Sequence, residues 1–270
     1  MKTTKVLDFS PHIKYFYKNL HGINRSPWQV YCDFLQLSID AFISDHTPEH
    51  PREKDYMQII ESYRKEEAEK FTNMLGCVMQ YMKETNKECL SEIWEGVAAN
   101  SNLGQFFTPW TVCMMMAKME LEDSVLNWDK FTPENKCTIS DPSCGGGRTL
   151  VAALKLVPAG KLNSALFHGI DIDLNVCHAA ALNMLFFNAN SYIIHGNALS
   201  LEVWHVFKTI HTPFGGEIVE ITDKEVMERI IRYGLKTKNY AEETNEEERI
   251  ISIEPKTLKT EQQQEQLELF

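Results

Sequence analysis

The 270-residue sequence predicts an α/β fold: a doubly wound domain with a parallel sheet, set behind an all-helical amino-terminal region. Three observations carry this. Residues 1 to 98 place apolar side chains at helical spacing and show no alternating strand pattern. From Cys137 onward, short β-rich pieces alternate with helical ones, the signature of βαβ units whose parallel sheet is covered on both faces. The first of those strands runs into a glycine-rich turn and then a helix, DPSCGGGRTL at 141–150.

Each element has a local reason. SPH at 10–12 and SPW at 26–28 put Ser before Pro, an N-cap followed by the first helical residue. After the second comes WQVYCDFLQLSIDAFI; HTPEHP, with prolines at 48 and 51, breaks the run, DYMQIIESYRKEEAEKFTNMLGCVMQYMKE resumes it and LSEIWEGVA closes it. In GQFFTPWTV, 104–112, Thr108 and Pro109 read as N-cap and first residue of the helix WTVCMMMAKM. CTISD, RTLVAALKL, SALFHGIDI, LNVCHAAALNMLFFN and SYIIHGN then alternate strand and helix, and HVFKTI follows as a further strand. Beyond Gly216 the pattern weakens: TDKE at 222–225 reads as a capping box opening VMERIIRYG, RIISIEP as one more strand, and KTEQQQEQLELF as a polar tail. The expected organisation is a helical region 1–98, a cofactor-binding domain 99–216, a helix/strand extension 217–258 and a flexible tail 259–270.

Bulk composition narrows the classes. The longest apolar stretches, VCMMMAKM and AALNMLFF, fall short of the roughly 20 residues a membrane span needs, and MKTTKVLDFS lacks the apolar core of a signal peptide. A cytoplasmic protein without a membrane segment is expected. Seven cysteines form no CxxC pair and no Cys/His cluster with zinc spacing, so reduced, mostly buried thiols and no metal are expected. The net charge of −11 argues against a general nucleic-acid coat protein, because phosphate neutralisation needs clustered Lys and Arg. Residues 217–270 carry 14 acidic and 8 basic side chains, so most of that charge sits in the last fifth, and the rest leaves room for a local basic face.

The chemistry-bearing residues fall at strand ends. Glycines 145–147 let the backbone approach a ligand where a Cβ would collide, and the helix behind them aims free N–H groups at it. Asp171 ends the next strand, where a carboxylate accepts hydrogen bonds from ribose hydroxyls. Asn197 ends the third, where an amide both donates to and accepts from a base edge. The turn does not match G-x-G-x-x-G, which disfavours NAD, and Asp141 at its start favours S-adenosylmethionine with its ammonium group. Upstream, the Thr108 hydroxyl and the helix start behind it suit a carboxylate.

Taken in order, GQFFTP, DPSCGGG, GIDID and GNAL resemble the adenine-N6 DNA methyltransferases, especially the modification subunits of type I restriction systems; the likeness covers roughly residues 90–216. It implies a Rossmann-like S-adenosylmethionine-dependent fold, here with a truncated parallel sheet, preceded by a helical region. By the same resemblance, Phe107 and Thr108 hold the methionine part, the loop bearing Asp141, Ser143, Gly145 and Gly147 wraps methionine and ribose, Asp171 binds the ribose, and Asn197 faces the cofactor's adenine. DNA and a separate specificity or restriction subunit are the implied partners.

The family's next motif is Asn or Asp, Pro-Pro, then Tyr or Phe, and HTPFGG at 211–216 holds that place. The motif's task is to accept hydrogen bonds from the adenine amine, whose lone pair is delocalised into the ring, and to stack an aromatic ring on the flipped base. Phe214 keeps the stack and Pro213 the ring, Thr212 stands where a carbonyl is wanted, and His211 replaces the amide acceptor. An imidazole offers one differently placed acceptor or none. Loss of one well-aimed hydrogen bond of this kind costs about 3 kcal/mol, so weak or partner-dependent methylation is expected. Only 54 residues follow Gly216, too few for the family's further strands and a target-recognition domain. A non-catalytic, cofactor-binding homologue is the rival expectation, and methylation of RNA or protein the third. Finally QLELF, with Gln266, Leu267, Leu269 and Phe270, resembles the peptide by which bacterial replication proteins dock on the sliding clamp.

Overall fold

A computed structural model describes residues 10–43, 47–98, 107–121 and 127–235. Helix α1 (Pro11–His21) starts as expected, with the Ser10 side chain accepting from the Ile13 amide and Pro at the first helical position. Helices α2 (Pro27–Ile43), α3 (Pro51–Ile60), α4 (Lys65–Thr85) and α5 (Leu90–Ala98) follow, α4 stopping where Asn86 turns left-handed at φ 55°. Helix α6 is Trp110–Leu121. Strands β1 (Cys137–Asp141), β2 (Ala165–Asp171) and β3 (Ser191–Asn197) alternate with helices α7 (Arg148–Leu154) and α8 (Leu174–Phe186). Strands β4 (Glu202–Ile210) and β5 (Glu217–Ile221) and helix α9 (Lys224–Gly234) complete the described chain. RIISIEP and the QLELF tail lie outside the described residues.

The sheet has the order β1-β2-β3-β4-β5. The first three strands are parallel, as expected, but β4 runs antiparallel to β3 and β5 antiparallel to β4, so the expectation of an all-parallel sheet is corrected. The reason is connection length. Only residues 198–201 separate β3 from β4, whereas a parallel crossover takes a dozen or more. The chain therefore folds straight back, helped by Gly196, where a Cβ would strike the Glu202 carbonyl, and by Leu201 at φ 60°. Strand β5 had no clear sequence signal, and it pairs with β4 across the boundary drawn at residue 216.

Helix α8 is apolar all round, the pattern of a helix covered on every side. One face meets β2, β3 and β4, and the other meets α2 and α5. Helical region and sheet thereby share a single hydrophobic core that runs from Ile13 through Trp94 to Phe207 and Ile218. Six of the seven cysteines are buried in it, all seven as free thiols. Helix α9 packs over β1, β2 and β4. Its cap is Asp223, which accepts from the Val226 amide at 3.0 Å, one residue later than the capping box read at TDKE.

Candidate cofactor site

The loop from Asp141 to Gly147 is built by its own hydrogen bonds. Asp141 accepts from the Ser143 amide at 3.0 Å and from the Thr149 hydroxyl, and the Cys144 amide donates to Ile170 O at 2.9 Å, tying the loop to β2. Gly145 and Gly147 have φ of +51° and +81°, a region L-residues avoid. Gly147 also lies against Ala180 of α8, 3.2 Å from where a Cβ would sit, and Asn183 donates to Gly146 O at 2.8 Å. Pro142 and Ser143 remain exposed, so the loop faces solvent at the strand tips.

Asp171 closes the next tip. Its carboxylate accepts from the Gly145 amide at 2.9 Å and the Asp173 amide at 3.1 Å, bringing acid and glycine loop together as expected. Burial pushes this carboxyl above its usual range, against the pull of those two amides. Asn197 stands at the third tip, yet its carbonyl oxygen accepts from the Leu199 and Ser200 amides. The expectation that it reads a base edge with both ends of its amide is thus narrowed to its NH2 group. Phe107 presses its ring on the loop, 2.6 Å from the Cβ position of Gly145, so any larger residue there would collide. Helix α6 begins after Pro109, whose carbonyl accepts from the Val112 and Cys113 amides; the cap is Pro109, one residue past the Thr108 expected. Gly104, Gln105 and Phe106 lie outside the described residues.

HTPFGG is elsewhere. Because β4 is antiparallel, Thr209 pairs with Ser191 at the start of β3, while Glu202 pairs with Asn197 at its end. At about 3.3 Å per residue the length of β3 puts His211–Gly216 roughly 20 Å from the cofactor tips, at the opposite pole of the sheet. The turn docks on the α8–β3 loop instead. The His211 amide donates to Asn190 Oδ1 at 3.0 Å, its ring bonds Asn188 O at 2.8 Å, and the Thr212 carbonyl accepts from Asn188 Nδ2 at 2.8 Å. Phe214 is fully exposed and Gly216 packs on the Leu185 carbonyl. The expectation that His211, Thr212, Pro213 and Phe214 line the cofactor cleft is therefore corrected: strand direction carries them away, and the carbonyl meant for the amine is already bonded.

One residue directly behind the glycine loop gave no sequence signal. Arg148, the first residue of α7, lines a cavity of about 670 Å³ with Phe107, Pro109 and Trp110. Its partners Glu88 and Glu95 stand 60 and 53 residues upstream, a pairing that local spacing cannot reveal.

A glycine turn at the tip of β1, an acid at the tip of β2 and an amide at the tip of β3 stand together at the carboxyl ends of the parallel strands, the place where open α/β sheets bind ligands. The family model described as N-6 DNA Methylase matches residues 86–248, more than half of the chain, and the chain belongs to that family. Its members typically use S-adenosylmethionine. No curated protein and no solved structure matches the chain. Among the described residues no helix is long and apolar enough to cross a membrane.

Proposed function

We propose that this chain binds S-adenosylmethionine across the tips of β1, β2 and β3 and serves methyl transfer to N6 of adenine in DNA, with the groups that polarise the amine supplied by a partner. The cofactor fits the residues present. Gly145 holds left-handed backbone beneath the Phe107 ring and Gly147 against Ala180, places where a Cβ has no room, and Asp171 keeps lone pairs beyond the two it gives to backbone amides. Asp171 would take the ribose hydroxyls, Asn197 Nδ2 the adenine, and the Thr108 hydroxyl the amino-acid arm. When bound, the cofactor supplies an electrophilic methyl group on sulfur.

The partner half of the reading rests on one observation, the position of HTPFGG at the pole opposite Asp171. The Thr212 carbonyl is engaged by Asn188 Nδ2, the His211 amide and ring are turned to Asn190 Oδ1 and Asn188 O, and the whole turn stands a strand's length from the cofactor tips, so within this chain it cannot meet an adenine amine held beside the cofactor. A specificity or restriction subunit is the partner the family suggests; Gln266, Leu267, Leu269 and Phe270 offer the sliding clamp as a second. The same observation favours a second reading, a cofactor-binding homologue that transfers nothing.

Calorimetry with S-adenosylmethionine, followed by tritium transfer from the labelled cofactor to DNA with and without co-purifying partners, tests both. Expected are binding by the chain alone, label on adenine only with a partner, and no change on His211→Asn. Transfer by the isolated chain that His211→Ala abolishes would restore HTPF to the active site. Label that still reaches adenine-free DNA, or reaches RNA or protein instead, would exclude the adenine acceptor.

A further inference from the structure

We infer that Arg148 is a positioning residue that locks the Phe107–Thr108 segment onto the glycine loop and so preforms the end of the cleft that takes the cofactor's amino-acid arm; this rests on the cofactor reading above. Its location is electrostatically unfavourable. A cation in the first turn of a helix opposes the helix dipole, and this one is only 8% exposed. Its contacts offset that cost. Nε donates to Glu88 Oε1 at 2.7 Å, and Nη1 donates to Glu95 Oε1 at 3.2 Å and to the Thr108 carbonyl at 3.3 Å. The guanidinium also lies 6.0 Å from the centre of the Phe107 ring, the ring that covers Gly145.

One planar fork thus joins three stretches of chain: the α5 lead-in through Glu88 and Glu95, the Phe107–Thr108 segment, and the start of α7 directly behind Gly147. A lysine could not do the same, since its single ammonium lacks the fork. Glu88 is in turn fixed, accepting from the Ser91 amide at 3.0 Å. The Thr108 hydroxyl makes no hydrogen bond among the described residues, and its carbonyl is bonded by Arg148 and the Cys113 thiol. The hydrogen bond tying this segment to the glycine loop's helix therefore comes from Arg148. Among the described residues no hydrogen bond or ion pair joins Arg148 to Asp171 or Asn197, the residues of the nucleoside end.

That separation gives the test. Arg148→Met alone would leave Glu88 as a buried charge without its cation, so the double variant Arg148→Met/Glu88→Met is the working protein; apolar replacement of a whole buried ion pair is commonly tolerated. Binding of S-adenosylmethionine and of 5′-methylthioadenosine, which keeps the nucleoside and loses the amino-acid arm, is measured by calorimetry on full-length chains of matched melting temperature. If the competent segment falls to about a tenth of the population, Kd for S-adenosylmethionine rises about tenfold and that for methylthioadenosine stays within about twofold. Unchanged affinity for both, or an equal loss for both, overturns the positioning role. Wild-type protein that binds neither overturns the cofactor reading and this inference with it, whereas wild-type binding with an insensitive variant overturns this inference alone.

Discussion

Asp171 is a carboxylate in an unfavourable place, held there by two backbone amides. Burial disfavours its charge, and the Gly145 and Asp173 amides restore part of what burial removes. A hydroxyl donor arriving from a ribose would add to the same side of the balance. Asp171→Ala is therefore expected to cost binding more than folding. A hydrogen bond to a charged group contributes about 1.5–3 kcal/mol, so Kd for S-adenosylmethionine should rise roughly 10- to 100-fold. The melting temperature should move by no more than about 4 °C, because the loop keeps its bonds to Ile170, Asp141 and Asn183. Equal affinity in variant and wild type would remove Asp171 from the site.

At the scale of elements, α9 is fixed to the sheet through one close approach. A Cβ on Gly234 would fall on the imidazole of His168, a fully buried ring whose Nε2 bonds the Ile230 carbonyl at 2.8 Å. Around it Ser140 donates to Gly234 O at 2.5 Å and Thr138 shares a hydrogen bond with the Tyr233 hydroxyl at 3.1 Å. Gly234→Ala should then destabilise by about 1–3 kcal/mol through overpacking, read as a lower urea midpoint. Adding His168→Ala should recover part of the loss, since it empties the space the methyl needs; strict additivity of the two would contradict the contact. This clamp also shows what a sequence conceals. The alternation of CTISD, SALFHGIDI and SYIIHGN with helices was readable because it is local, and so were the glycine turn and Asp171. Gly234 against His168, and Arg148 between Glu88 and Glu95, depend on partners dozens of residues apart. HTPFGG was misplaced for a different reason: a motif's resemblance carries no strand direction, and the direction is set by the short connection 198–201, which is known only once β4 is seen to start at Glu202.

Across the whole molecule, the helical region and the sheet are joined by a buried ion triad as well as by α8. Arg52 of α3 donates to Asp40 of α2 at 3.1 Å and, through Nε and Nη2 at 2.8 and 2.5 Å, to both carboxylate oxygens of Glu220 on β5. Asp40 is fully buried, and burial pushes its carboxyl up to about 6, opposed by Gln36 and Arg52. Removing the cation while leaving that carboxylate in place is the costly kind of change, about 3–5 kcal/mol, and is expected of Arg52→Met at pH 8. The deficit should depend on pH in a definite direction. The folded state holds the Asp40 proton more tightly than the unfolded chain, so its protonated form contributes stability at low pH that is lost as pH rises between 3.8 and about 6. Without Arg52 the ionised form loses its partner and the folded pKa climbs further, so protonation near pH 5 relieves the variant more than the wild type. His168, pushed down to about 4 by burial, weakens both proteins in acid alike and cancels in the difference. Urea unfolding of both proteins at pH 8 and pH 5 should thus show the gap narrowing on acidification; a gap that is constant or widens would mean that Asp40 does not carry its charge in the interior between the helices and the hairpin.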